Sequence, residues 1–254
     1  MDMARAAISQ LKPFYRSGES NIGQDFFFLC ISYCSSYSRA VGFFSSSTLI
    51  TWAKILPELV AREKASIRLL ISPQLPESDR NALQEIVHPE ERDRFIQRWV
   101  STIIQEATKF AETPSDSTLR IRLFLWLVAT GRLEIRIAFP QHIEQPGIFH
   151  EKIGVFQFPW GVQVAFTGSA NETSMGHTKN YESIDVYRSW VAEDADRVQI
   201  KAKQFEDAWF GGAWGLRTLP LSAETISYIT ATAPPVNPLD EVKPATHARV
   251  PPLR

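Results

Sequence analysis

At 254 residues, 44% hydrophobic and 22% charged, the chain can bury one sizeable core, and its composition is that of an ordinary globular protein. No apolar run approaches the roughly 20 residues that cross a bilayer, and the start, MDMARAAISQLKPF, lacks the apolar stretch of a signal peptide, so no membrane partner and a cytoplasmic location are expected. The formal net charge of −1 excludes a global basic field, so any surface for a polyanion must be local. Cys30 and Cys34 have the spacing of half a zinc site, but no second pair exists, and two core thiols are expected instead, with no metal and no cofactor.

Residues 1–24 read as a loosely held start. Asp25 to Cys34 is an apolar run read as a helix with Asp25 as its N-cap. Tyr37–Phe44 reads as a buried strand, followed by Ser45–Thr48 as caps for a helix over Leu49–Ala61. Ile67–Ile71 is a second buried strand, and this β-α-β order implies a parallel pair. Helical spacing then predicts Glu77–Ile86, Glu91–Phe110 and a helix ending at Ala129 before a Thr130-Gly131 stop. Arg92, Arg94 and Arg98 on the second of these read as a solvated face, with a phosphate-backbone contact as the alternative. Leu133–Phe139 alternates as a strand does, and Ala195–Phe210 forms an amphipathic helix through Val198, Ala202, Phe205 and Trp209.

The stretch from Phe149 to Arg188 carries the chemistry. It reads as strand, a Pro159-Trp160-Gly161 turn, strand, a Gly168-Ser169-Ala-Asn171 loop, and a strand opened by Glu182. His150 and Lys152 are two apart, so on an extended segment both side chains leave one face. A neutral imidazole is a competent nucleophile near pH 7, and a carboxylate can fix its tautomer. Lys152, the Asn171 amide and the Ser169 hydroxyl can donate to phosphate oxygens as charge builds. Lys152 on a buried strand is costly without a charged partner, which favours an anion site over packing. Asn171 could instead cap a following helix, and Glu182 could be a surface residue at a strand end.

His150-Glu-Lys152, Gly168-Ser169-Ala-Asn171 and Glu182 resemble the phospholipase D superfamily, whose motif is His-x-Lys, an Asp five residues on, Gly-Ser/Gly-x-Asn, then an acidic residue. The Asp position holds Gln157, as in nucleases of the superfamily with a His-x-Lys…Asn…Glu signature, and Tyr37–Leu49 looks like the first strand and helix start of bacterial members fused to helicases. The resemblance covers about forty residues closely. It implies an α/β fold with a mixed, largely parallel sheet flanked by helices on both faces. It also implies metal-independent cleavage of a phosphodiester through a phosphohistidine on His150, with Lys152, Ser169 and Asn171 on the phosphate and Glu182 orienting an imidazole. Members with one motif share their site across a homodimer, so a twin chain would supply the second histidine.

Residues 1–231 are expected to form this domain, with a helical insertion around 77–129, and 232–254, which hold six prolines, to form a linker or tail leading to a further module such as a helicase or ATPase. The expected substrate is nucleic acid, DNA ahead of RNA, in a restriction or defence setting. An inactive nucleic-acid-binding or dimerisation module and a phospholipid-cleaving enzyme are the alternatives; no amphipathic membrane helix supports the second.

Overall fold

The computed structural model describes residues 2–44, 53–60, 65–73, 75–109, 116–141, 149, 151–169 and 181–241. Its centre is one eight-stranded sheet in the order β1-β7-β6-β5-β2-β3-β4-β8. The strands are β1 Phe14–Arg16, β2 Ser36–Phe44, β3 Ser66–Pro73, β4 Leu133–Pro140, β5 Ile153–Gln157, β6 Gln163–Gly168, β7 Ser183–Arg188 and β8 Leu216–Pro220. Helices cover both faces, so the α/β class with a mixed sheet holds.

The sheet is not largely parallel, however. Only β2–β3 and β3–β4 run parallel, and the other five pairings are antiparallel. The reason is connection length. Parallel neighbours need a long crossover, and the chain between β3 and β4 carries one through α4 Glu77–Glu85, α5 Pro89–Lys109 and α6 Asp116–Ala129. The Pro159-Trp160-Gly161 turn is too short for anything but a hairpin, with Gly161 at φ +88°.

Two further expectations change. Residues 2–24 are part of the fold: Ile8 of α1 Asp2–Ser9, Tyr15 of β1, and Leu11 and Ile22 on either side of β1 lie in the core, and β1 pairs with β7. A three-residue strand shows no periodicity in sequence, which is why it is hidden there. The helix after it starts earlier than Asp25, as a π-helical stretch Gly23–Phe28 continuing into α2 Leu29–Tyr33. Asn21 accepts from the Gln24 N–H at 3.1 Å, and Asp25 accepts from the Asn21 N–H at 3.0 Å, so Asp25 closes the cap and Asn21 provides it. Cys30 and Cys34 are buried thiols in this helix end, and burial pushes the Cys30 thiol well up.

One face of the sheet packs against α2, α3 Leu56–Val60, α5, α6 and α8 Ala223–Thr232, through residues such as Tyr37, Leu69, Ile137, Phe156 and Phe166. Phe26 makes edge contacts with Phe27, Phe156 and Phe166 there. The other face packs against α7 Ala192–Trp209, whose Val198, Phe205 and Trp209 meet Ala40, Leu70, Ile153, Val155 and Ala165. The turn after β8 leads to α8, capped by Ser222 Oγ, and then to α9 Pro238–Glu241, where Glu241 pairs with Arg122 of α6 at 2.6 Å. The Arg92-Arg94-Arg98 stretch lies on α5, where Asp93 is paired with Arg217 and Arg92 donates to the Ile86 carbonyl. No helix among the described residues is long and apolar enough to cross a membrane.

Gly154 on β5 shows how tightly this sheet is fitted. A Cβ there would overlap the ring of Phe166 on the adjacent strand. Gly154→Ala is therefore expected to lower the urea midpoint by the equivalent of about 1–3 kcal/mol with the m-value unchanged. An unaltered midpoint would show that the ring has room to move.

Candidate functional site

Register brings one end of the sheet together. β2, β3 and β4 finish there, and β5 and β7 begin there, because β5 and β7 run against their neighbours. Lys152 precedes β5, Gly168 ends β6, and Glu182 precedes β7. The pairings Ile153 with Thr167 and Gly168 with Ile184 place Lys152, Ser169 and Glu182 on three successive strand ends, within about 10 Å across the sheet.

The backbone holds this corner. Ser169 N–H donates to the Ser183 carbonyl at 3.0 Å, and the Ser183 N–H donates to Ser169 Oγ at 3.1 Å. Gly168 makes that approach possible, since a Cβ on it would overlap the carbonyl oxygen of Ser183. On the far side, Ser17 N–H donates to the Glu182 carbonyl at 2.8 Å, and Glu182 N–H donates to Ser17 Oγ at 3.0 Å. Ser17 was missed in sequence, because its role depends on β1 lying beside β7.

The side chains then carry two opposite charges that do not meet. Lys152 is half-buried, and its Nζ donates to the Ser169 carbonyl at 3.1 Å. Among the described residues it makes no ion pair. Glu182 is also half-buried, and its Oε2 is buried with no hydrogen-bond partner among the described residues. A buried carboxylate oxygen with nothing to accept from costs free energy, and such groups mark places where another donor belongs. The corner therefore offers a cation for an anion and a carboxylate oxygen for an N–H.

His150 and Asn171 lie outside the described residues, as do Ser46 and His177. Arg39 of β2 is fully buried, with its guanidinium 5.0 Å from the Phe166 ring centre. It pairs in register with Gly154, one pleat below Lys152 on the same face. Gln157 sits at the other end of β5, five residues or about 17 Å from Lys152. There it lines a cavity of about 160 Å³ with Ser38, Arg68 and Glu206, the last two ion-paired. The residue at that position has no reach to a phosphate held by Lys152. Asp185 is exposed, and Arg188 at the far end of β7 pairs with Asp194 at 2.7 Å.

No protein-family model matches the chain, and no curated protein matches it. Among solved structures it is similar to NucT from Helicobacter pylori, at 11% identity and a TM-score of 0.39, over 76% of this chain and 92% of that one. It is similar also to TrmBL2, an archaeal chromatin protein whose structure is described as showing a novel mode of DNA binding. That likeness has 11% identity and a TM-score of 0.34, over 83% of this chain and 58% of that one. Both are distant, and the functional reading rests on the residues of the corner.

Glu151, between His150 and Lys152 in sequence, belongs to the other face. Burial raises its pKa, partly offset by Lys201 of α7. A carboxyl with a raised folded pKa favours folding while protonated, and that contribution is lost as pH rises through the folded value. Glu151→Gln is thus expected to be more stable than the parent at pH 7 and to lose this advantage below about pH 4. Thermal melts at both pH values check it, and a gain that is equal at the two would contradict the assignment.

Proposed function

We propose that the chain is a phosphodiesterase that cleaves nucleic acid, DNA ahead of RNA, through a covalent phosphohistidine. The observation that carries the reading is the buried Oε2 of Glu182, without a hydrogen-bond partner among the described residues, at the strand end beside those of Ser169 and Lys152. An imidazole N–H is the donor that such an oxygen fits, and His150 is the residue that the motif supplies at that end of β5.

In this mechanism a neutral imidazole nitrogen of His150 attacks phosphorus in line, and the bond from phosphorus to the leaving sugar oxygen breaks. His150 of the partner subunit gives its proton to that oxygen. It then takes a proton from water as the water attacks the phosphohistidine, releasing the phosphate monoester and restoring both imidazoles. Glu182 holds the imidazole in one tautomer and stabilises its positive charge. Lys152, Asn171 and Ser169 neutralise the non-bridging oxygens, the work that a divalent ion does in other phosphodiesterases, so no metal is needed. The two chains share one site across a twofold axis, since of the chain's two His-x-Lys segments only His150-Glu-Lys152 is followed by a Gly-Ser-x-Asn loop, and His177-Thr-Lys179 is not.

The far position of Gln157 supports activity, because the departure from the family motif falls where no phosphate contact is made. We extend the proposal to the chain's setting: residues 1–231, with α9 packed against them, act as the catalytic unit, and the Pro-rich stretch that follows joins it to a helicase or ATPase module of a restriction or defence system.

The test is cleavage of labelled DNA in EDTA. The parent chain is expected to cut, His150→Ala to lose all cutting, and Lys152→Ala to fall by about 10²–10³ in rate. No cutting in EDTA by the parent, or full activity in His150→Ala, would overturn the proposal.

A further inference from the structure

We infer that the chain has a second binding site, for a flat, uncharged heterocycle of the nucleobase class, in the cavity between α7 and the end of the sheet opposite the Lys152 corner. The inference does not rest on the phosphodiesterase reading. Gln157 of the cavity is about 17 Å along β5 from Lys152. It also shares its side of β5 with Ile153 and Val155, which face α7, whereas Lys152 alternates with them.

Register builds the floor. Ser36 of β2 stands opposite Gln157 of β5, and Gln157 stands opposite Gln163 of β6. Three polar side chains therefore lie side by side on one face, at the strand spacing of about 5 Å. In the next row Ser38 stands opposite both Arg68 and Val155. Further along the same strands this face is apolar, with Ala40, Leu70, Ile153 and Ala165 against α7, so packing alone does not ask for a polar row. The opposite wall is Ala202, Phe205 and Glu206 of α7. The slot between the two layers holds about 160 Å³. That is several times the roughly 30 Å³ share of one water, and short of the roughly 300–1,000 Å³ of sites for larger ligands.

The charges of the lining are matched. Arg68 donates to both carboxylate oxygens of Glu206, and its Nε and Nη2 donate to Ser38 Oγ at 3.2 and 3.0 Å. A phosphate or carboxylate would have to break that pair to gain a cation. The hydrogen-bonding capacity left over is neutral. Among the described residues the Gln163 carboxamide and the Ser36 hydroxyl make no side-chain hydrogen bond, and the Ser38 O–H has no acceptor. Gln157 gives only its Nε2, to the Phe158 carbonyl at 3.4 Å. Each carboxamide presents a C=O and an N–H₂ in one plane, the pattern that pairs bidentately with the edge of a base. Val155, Ala202 and Phe205 supply apolar surface for the faces of a ring. Water alone would satisfy the amides while wetting Val155 and Phe205, a cost that a flat heterocycle removes.

The experiment is isothermal titration calorimetry of the full chain with adenine and with uracil, and with indole, ribose and inorganic phosphate as comparisons. At least one of the two bases is expected to bind with a Kd below about 1 mM. Indole keeps the flat ring but not the paired donor and acceptor edge, and it is expected to bind at least about tenfold more weakly. Ribose and phosphate are expected not to bind. Ala202→Leu fills the slot from the helix side and is expected to abolish binding. Gln163→Ala is expected to weaken it by about tenfold, with thermal melts to show that each variant is folded. No binding of either base, indole or ribose binding as tightly as the bases, or base binding that survives unchanged in folded Ala202→Leu and Gln163→Ala would overturn the inference.

Discussion

A carboxylate oxygen held out of water, with no donor near it among the described residues, is the constraint around which this structure makes sense. Leaving Glu182 Oε2 in that state costs on the order of 1–3 kcal/mol, more than a surface glutamate would risk. Nothing about the backbone forces the cost, because a residue ahead of a strand can turn outward. The fold does the opposite and fixes the Glu182 main chain with two hydrogen bonds to Ser17. A group that is both penalised and immobilised is one whose partner comes from elsewhere.

The surrounding geometry follows from register. Antiparallel pairing of β5, β6 and β7 returns the chain twice to the same edge, so residues far apart in sequence become neighbours. Gly168 lets β6 and β7 close to backbone contact, and the Ser169–Ser183 exchange then sets where Lys152 finds its carbonyl. Below the corner, Arg39, Gly154 and Phe166 fill one another's space, so the sheet has little freedom to shift. A rigid floor under a charged rim is what transition-state stabilisation requires, since donors that need not move cost no reorganisation.

Much of this was legible in the sequence, and the exceptions have physical causes. The buried strands β2 and β3 and the amphipathic α7 announced themselves by continuous or periodic apolar residues. The resemblance singles out Lys152, Ser169 and Glu182, and the structure brings the three to neighbouring strand ends. The parallel character of the sheet was overestimated because a β-α-β start says nothing of the strands added later through short turns. β1 was invisible because three residues have no period, and with it went Ser17, which has meaning only in the β1–β7 register. The role of Gln157 was also out of reach, since a motif gives order along a chain and not the distance between the two ends of a strand.

The central claim is that this corner serves a nucleophilic histidine. Rapid acid-free quenching of the chain with labelled DNA in EDTA, followed by digestion and mass spectrometry of the peptide that spans 149–152, tests it most directly. The account expects a phosphoryl adduct on His150 that disappears in His150→Ala and accumulates less in Glu182→Gln. Turnover with no adduct on that peptide, or an adduct that persists after His150 is removed, would contradict it.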